Sequence, residues 1–295
     1  MRKRIPASTF GKNHSDYAIV DAIEVEILKA SGGVSKLSEF YSEMLRDEID
    51  KLIDTPNTDR RAYRDLEKVE KTYIGTRVEI RLRKFWGYPK GYLDLRIQHV
   101  DVDIKHTMEG GWMFPPEAVG QVCVLSAADE DSAKCYLGLV IAHKAYLSSG
   151  PGNRDAKLQL TASGWTNIQW LIFGLDYPKN FWKTLDLKSV DYIFSGQSGV
   201  ERICRLFKTV PDVPVARKII VDTARQLDSL KRIRKNGGAR DQMLKDGFLL
   251  LSGKYDRELI DELKIGPCSS NEFVAHHIAG AAEIKIAAKF GIYVP

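Results

Sequence analysis

The sequence predicts an α/β chain of the α+β kind, in two parts. Three observations carry this. Ile19, Ala22, Ile23 and Ile27 recur at helical spacing in residues 16–30. Residues 93–105 alternate apolar with polar side chains, as a strand does. The second half strings helical runs together before a short apolar stretch, Phe248-Leu249-Leu250-Leu251. Helix faces recur every three or four residues, whereas strand side chains change face at each one. The 295 residues suit two domains at roughly 100–200 residues each. A hydrophobic content of 44% is enough to build cores for both.

Along the first half, Gly32-Gly33 stops the helix of residues 16–30. Ser35 or Ser38 caps the next, which turns Phe40, Tyr41, Met44, Leu45, Leu52 and Ile53 inward. A third helical stretch starts near Asp59, carries Glu70, breaks or bends at Gly75 and resumes through Glu79. A hairpin follows at 92–107. Pro115-Pro116 starts another helix, because proline is tolerated in the first turn. Residues 135–143 form an apolar strand, and residues 148–155, rich in Ser, Gly, Pro and Asn, form a loop. Thr161 or Ser163 then caps a helix holding Trp165, Ile168 and Leu171. Residues 174–198 read as a linker region, which divides the chain into domains of residues 1–177 and 178–295.

In the second half, residues 200–208 form a helix, Pro211 and Pro214 bound a turn, and residues 215–225 form a second helix with Ile219, Ile220 and Ala224 inward. Asp228 caps a third, short helix that Gly237-Gly238 ends. Helix, turn, helix, short basic helix and strand spell a winged helix-turn-helix, in which the third helix enters the major groove of duplex DNA. Residues 231–240 hold five cations in ten positions: Lys231, Arg232, Arg234, Lys235 and Arg240. In a chain whose net charge is only +5, so local a cluster suits a polyanion, though a solvated helix face would look the same.

Other classes recede. No apolar run approaches the ~20 residues of a membrane span. Met1-Arg2-Lys3-Arg4 has no apolar signal core behind it and reads as a loose arm. Cys123, Cys135, Cys204 and Cys268 are scattered with no C-x-x-C pair, which argues against structural zinc and for reduced thiols in a cytoplasm.

The hairpin is the most informative segment. Leu93, Leu95 and Ile97 alternate with Asp94 and Arg96; Val100, Val102 and Ile104 alternate with Asp101, Asp103 and Lys105. A turn at Gln98-His99 sets Asp94 opposite Asp103. Like charges facing each other across a strand pair repel, and a divalent ion removes that objection, since Mg²⁺ accepts one or two carboxylates and completes its shell with water and phosphate. Asp94, eight intervening residues, then Asp103-Ile104-Lys105 fits the Asp…(Asp/Glu)-X-Lys signature of metal-dependent nucleases. A solvated face of an edge hairpin would show the same alternation. His106, His143 and the pair His276-His277 have no metal-ligand spacing, and Trp112 reads as core.

The surroundings narrow the choice. Glu70-Lys71-Thr72, Gly75-Thr76 and Val78-Glu79-Ile80 precede the hairpin; Gly110-Gly111-Trp112-Met113 and the run from Pro115 to Gln121 follow it. Asn153-Arg154-Asp155, Lys231-Arg232-Ile233-Arg234 and Asn236-Gly237-Gly238-Ala239-Arg240 come later. Together these resemble the NaeI family of type II restriction endonucleases, from about residue 40 to about residue 280. The resemblance implies a restriction-endonuclease-like nuclease core followed by a winged-helix DNA-binding domain. It implies Mg²⁺ as cofactor, duplex DNA as substrate, a homodimer, and a second DNA copy bound by the C-terminal domain to activate cleavage. Asp94, Asp103 and Lys105 then carry the chemistry, with Asp94, Asp103 and Glu79 as metal ligands. Glu79 matches the family's helix glutamate but stands one residue closer to Asp94, and Glu70 is the competing acid. Asp101 shares the active face and has no direct role in the family pattern. Gln121, Asn153, Arg154, Asp155 and Lys157 are candidates for DNA contact, since Arg pairs with guanine and Asn with adenine; a surface loop held by an Arg–Asp pair would look alike. Two other readings remain at this stage: a winged-helix regulator with a non-catalytic nuclease-like domain, and a monomeric repair nickase.

Overall fold

The computed structural model describes residues 7–108, 110–226, 233 and 237–294. The chain divides into two compact units, one of residues up to Asp54 with Arg60–Asn180, the other of Thr55–Asp59 with everything from Phe181 on.

The first unit contains α1 (Tyr17–Ser31), α2 (Val34–Ile53) and, after α3 (Thr55–Thr58, grouped with the second unit), α4 (Lys68–Trp86). Its strands are β1 (Leu95–Ile97), β2 (Val100–Thr107), β3 (Met113–Phe114), β4 (Val122–Asp129), β5 (Lys134–Ile141), β6 (Leu158–Gln159) and β7 (Gln169–Asp176), with α5 (Ala162–Thr166) before the last. Five strands form one mixed sheet in the order β1-β2-β4-β5-β7, in which only β2 and β4 run parallel. One face packs on α1, α2 and α4 through Ile23, Tyr41, Leu45, Ile74, Val78, Val102, Val124 and Leu137. The other face carries a second cluster around Trp112, Phe114, Leu125, Val140 and Trp165. The architecture is α+β, as expected.

Several local expectations change. Gly32 does end α1, with φ 73°, but Gly33 and not a serine sits at the N-cap of α2. The Asp59–Glu79 stretch is not one helix with a bend: α4 starts at Lys68 and runs unbroken through Gly75. Its buried stripe Ile74, Val78, Leu82 and Trp86 holds the helix across the glycine, because burial outweighs the ~1 kcal/mol that glycine costs. Pro115-Pro116 begins only a single 3-10 turn, Pro116–Ala118. Residues 122–129 are a strand that the sequence did not announce, since a central strand buried on both faces loses its alternation. Thr161 caps α5 by accepting from the Gly164 N–H at 3.3 Å, but the helix ends after five residues and Leu171 belongs to β7.

The second unit contains α6 (Leu187–Phe194), α7 (Gly199–Thr209), β8 (Val215–Ala216), α8 (Arg217–Ala224), α9 (Ala239–Lys245), β9 (Phe248–Ser252), α10 (Arg257–Glu262), β10 (Glu272–His277) and α11 (Ala281–Lys289). Its antiparallel sheet has the order β8-β10-β9. Residues 174–198 are therefore not a bare linker: they hold the end of β7 and all of α6. Residues 215–216 are strand before the helix begins. Gly238 is the N-cap of α9, while the expected third helix from Asp228 falls largely on residues outside the described ones. Lys231, Arg232, Arg234 and Lys235 lie outside the described residues, and Ile233 between them is buried. No described helix is long and apolar enough to cross a membrane.

Candidate active site on the edge hairpin

Strand β1 pairs with β2 as Leu95↔Val102, Arg96↔Asp101 and Ile97↔Val100, with Gln98-His99 at the turn and Gln98 at φ 53°. Asp94, one residue before β1, continues that register to a place opposite Asp103. Its Oδ2 accepts the Ile104 N–H at 2.8 Å. Strand β2 is flanked by β1 on one side and β4 on the other, so Asp103 is only 4% exposed. The Lys105 ammonium, one pleat along the same face, donates to Asp103 Oδ1 at 2.8 Å. Asp103 Oδ2 lies 2.6 Å from the same ammonium. Burial pushes the Asp103 carboxyl up to about 6; Lys105 pulls it down, and the neighbouring Asp94 opposes that pull. The ledge is thus short of positive charge.

Glu79 reaches the same ledge from α4. Its pKa is raised first by burial and then by the Asp94 charge, with Arg83 acting against both. Arg83 donates to Glu79 Oε1 at 2.9 Å and to the Asp94 carbonyl at 3.4 Å. Glu70 is engaged elsewhere: it accepts from Arg60 at 2.6 Å and from the Glu67 N–H at 2.8 Å, closing the capping box of α4. Nine residues of helix put the two glutamates roughly 13 Å apart along the axis. Asp101 accepts the Tyr92 N–H at 2.7 Å, which fixes the loop entering β1. Gly91 is required there, because a Cβ would collide with the Asp101 carboxylate and meet the Leu95 carbonyl at 2.8 Å.

The histidines are occupied outside this ledge. His106 lies on the opposite face of β2, its Nδ1 at 2.7 Å from Ser126 Oγ, which is 2.7 Å from the Tyr41 hydroxyl. Burial lowers its pKa to about 4, so it is neutral. His143 pairs with Asp16 at 2.9 Å, and His276 with Asp212 at 2.6 Å. Trp112 is buried and donates to the Ser126 carbonyl.

The loop candidates sit apart from the hairpin in sequence, and their exposure varies little. Asn153 Oδ1 accepts the N–H groups of Asp155 at 3.0 Å and Lys157 at 2.9 Å. That acceptor holds its own turn, which removes half of a bidentate contact to adenine. Asp155 and Lys157 face each other at 3.6 Å, while Arg154 and Gln121 are exposed. In the second unit Arg240 pairs with Asp256 at 2.6 Å. Sequence reading overlooked Arg83, although Glu and Arg four apart on a helix are natural neighbours.

Among the described residues, no three His, Cys, Asp or Glu side chains are grouped to hold a metal. Two neighbouring carboxylates, one of them buried, fit a hard divalent ion that keeps several waters, because Mg²⁺ needs only one or two carboxylates from the protein.

Comparison with known proteins makes the chain a type II restriction endonuclease, a site-specific deoxyribonuclease acting on double-stranded DNA. More narrowly, the chain belongs to the family described as Restriction endonuclease NaeI, which matches over residues 37–288. It is 32% identical over 251 residues to the Type II restriction enzyme NaeI of Lentzea aerocolonigenes, covering 81% of this chain and 78% of that protein.

Proposed function

We propose that phosphodiester hydrolysis takes place on the β1–β2 ledge, with Mg²⁺ held by Asp94 and Asp103 and with Glu79 as the third acid. The observation that carries this is the buried Asp103 carboxylate, in register with Asp94 and one pleat from Lys105. A bound Mg²⁺ would neutralise the phosphate and lower the pKa of its water. Asp103 holds the Lys105 ammonium against both of its oxygens and would share that carboxylate with the ion. The Lys105 ammonium orients the attacking water and meets the charge that develops on the phosphate. Asp94 is fixed by the Ile104 N–H, which its Oδ2 accepts. Asp103→Ala and Lys105→Ala should each abolish cleavage of a supercoiled plasmid while DNA binding in Ca²⁺ stays within about tenfold. Appreciable cutting by Asp103→Ala in saturating Mg²⁺ would place the chemistry elsewhere.

For the second unit we infer a winged-helix DNA-binding domain, with domains of residues 1–177 and 178–295. The succession α7, β8, α8, α9, β9, β10 with sheet order β8-β10-β9 supports it. The sequence cluster Lys231, Arg232, Arg234 and Lys235, with Arg240 at the start of α9, supplies charge for a second DNA copy that activates cleavage. In α10 the connection between β9 and β10 carries a helix where a plain wing would have a hairpin. A homodimer matches a palindromic site by symmetry. Four buried free cysteines suit a reducing cytoplasm. A fragment of residues 178–295 should fold alone and retard duplex DNA; a fragment that is folded by circular dichroism yet leaves DNA unshifted would remove the DNA-binding role.

A further inference from the structure

On the active-site ledge just proposed, Arg83 is the cation that has no assigned role. It is one quarter exposed, four residues after Glu79 on α4, and it touches two of the three acidic positions: the Glu79 carboxylate and the Asp94 backbone carbonyl. Lys105 holds the remaining acid, Asp103. The Asp94 carboxylate lies beside both Glu79 and Asp103 and raises the cost of charge on each of them. Three acids and two cations leave the ledge one positive charge short before any ion arrives.

We propose that Arg83 is a positioning residue and a placeholder counter-ion: it anchors Glu79 against the entry of β1 and stands in for part of the metal's charge until metal and DNA bind. Two consequences separate this from a structural ion pair. First, Arg83 repels an incoming divalent ion, so removing it makes the ledge more attractive to that ion. Second, it aims Glu79, so removing it slows the chemistry. A surface Glu–Arg pair at this spacing would do neither, being worth a few tenths of a kcal/mol to the helix alone. A DNA-clamping arginine would weaken DNA binding.

The proposal rests on the ledge being the active site, and the experiment keeps the two apart. Ca²⁺ is titrated calorimetrically into the DNA-free full-length protein, and plasmid cleavage in Mg²⁺ and duplex binding in Ca²⁺ are measured on the same preparations. Arg83→Ala should bind Ca²⁺ severalfold more tightly than the parent, cleave roughly ten- to a hundredfold more slowly, and bind DNA within about threefold of the parent. Arg83→Lys should return Ca²⁺ affinity to the parent value, because the charge is restored, and recover cleavage only in part, because one ammonium cannot serve both Glu79 and the Asp94 carbonyl. Where Arg83→Ala fails to fold, Arg83→Gln takes its place and should show the same tightening. Ca²⁺ affinity that is unchanged or weaker without the arginine overturns the proposal, and so does a loss of DNA binding beyond about tenfold. Asp103→Ala, run alongside, should lose Ca²⁺ binding; if it does not, the ledge reading itself fails, whereas loss there with no change in Arg83→Ala overturns only the role of Arg83.

Discussion

Helix α4 has two polar flanks, one either side of its buried stripe, and they are wired in opposite ways. On one flank Arg77 and Arg81, with Lys51 from α2, surround the Glu48 carboxylate at 2.7, 2.6 and 3.0 Å. On the other, Glu79 and Arg83 face Asp94 and Asp103, where Lys105 is, among the described residues, the only other cation in contact. Glu48 is 1% exposed and Asp103 4%, so both are buried acids. Burial alone would raise both. For Glu48 the arginine and lysine contacts more than offset burial and its pKa falls; for Asp103 they do not, and it rises to about 6. A buried carboxylate with more than its share of cations is a finished joint. One with less than its share can take a further positive partner, which is the role proposed for Asp103.

The largest effects should come from exchanging charge for amide on the two flanks. Asp103→Asn should cut cleavage by at least about a thousandfold, roughly 4 kcal/mol in the barrier. Its melting temperature should hold or rise, because an uncompensated charge leaves the interior. A melting temperature well below the parent's would mean the two flanks are alike. Glu48→Gln should do the reverse, costing about 2–3 kcal/mol in urea unfolding by leaving three cations around a neutral group. Cleavage per folded molecule should stay within about threefold; a larger loss would tie the Glu48 joint to the chemistry.

A smaller effect tests the rigidity behind the ledge. His106 is neutral in the folded chain because burial lowers its pKa to about 4 from the ordinary 6.5. In that interval the unfolded chain binds the extra proton, so folding stability is full above pH 6.5 and falls as the pH drops toward 4. The loss amounts to about 2 kcal/mol by pH 5. His106→Gln should remove that part of the slope while leaving the carboxylates' share. Equal slopes in the two proteins would mean that His106 reaches solvent.

Much of the ledge was legible in the sequence. Val100–Lys105 alternates cleanly because one face of the hairpin packs on the helices and the other carries the polar ledge, and the two-residue turn fixed the pairing of Asp94 with Asp103. Spacing alone left Glu79 and Glu70 both open; in the structure Glu70 closes the capping box of α4 with Glu67, while Glu79 lies beside Asp94. Strand β4 was invisible for the opposite reason to β2, being apolar on both faces. Strand β7 was mistaken for helix because Thr161 is a true cap and nothing in Ile168–Leu171 says where its helix stops. Arg83 was passed over because Glu–Arg pairs four apart decorate most helices. The short strand β8 and the helix α9 lie on either side of glycine and proline signals that mark a boundary without saying what begins there.

The parallel pairing of β2 with β4 has a consequence for the moment at which this protein becomes dangerous. Antiparallel neighbours can zip together as they are made, but parallel ones need the chain to travel the length of the sheet and return. All of Glu79, Asp94, Asp103 and Lys105 have been synthesised by residue 105, yet the strand that covers Asp103 on its far side begins at Val122, and that strand is in turn flanked by β5. A nascent chain therefore carries every side chain of the proposed ledge for some time before it owns the surface that would use them. A DNA-cutting protein made beside its host's chromosome gains from such a delay, since the blade is sharpened only after most of the nuclease unit has left the ribosome.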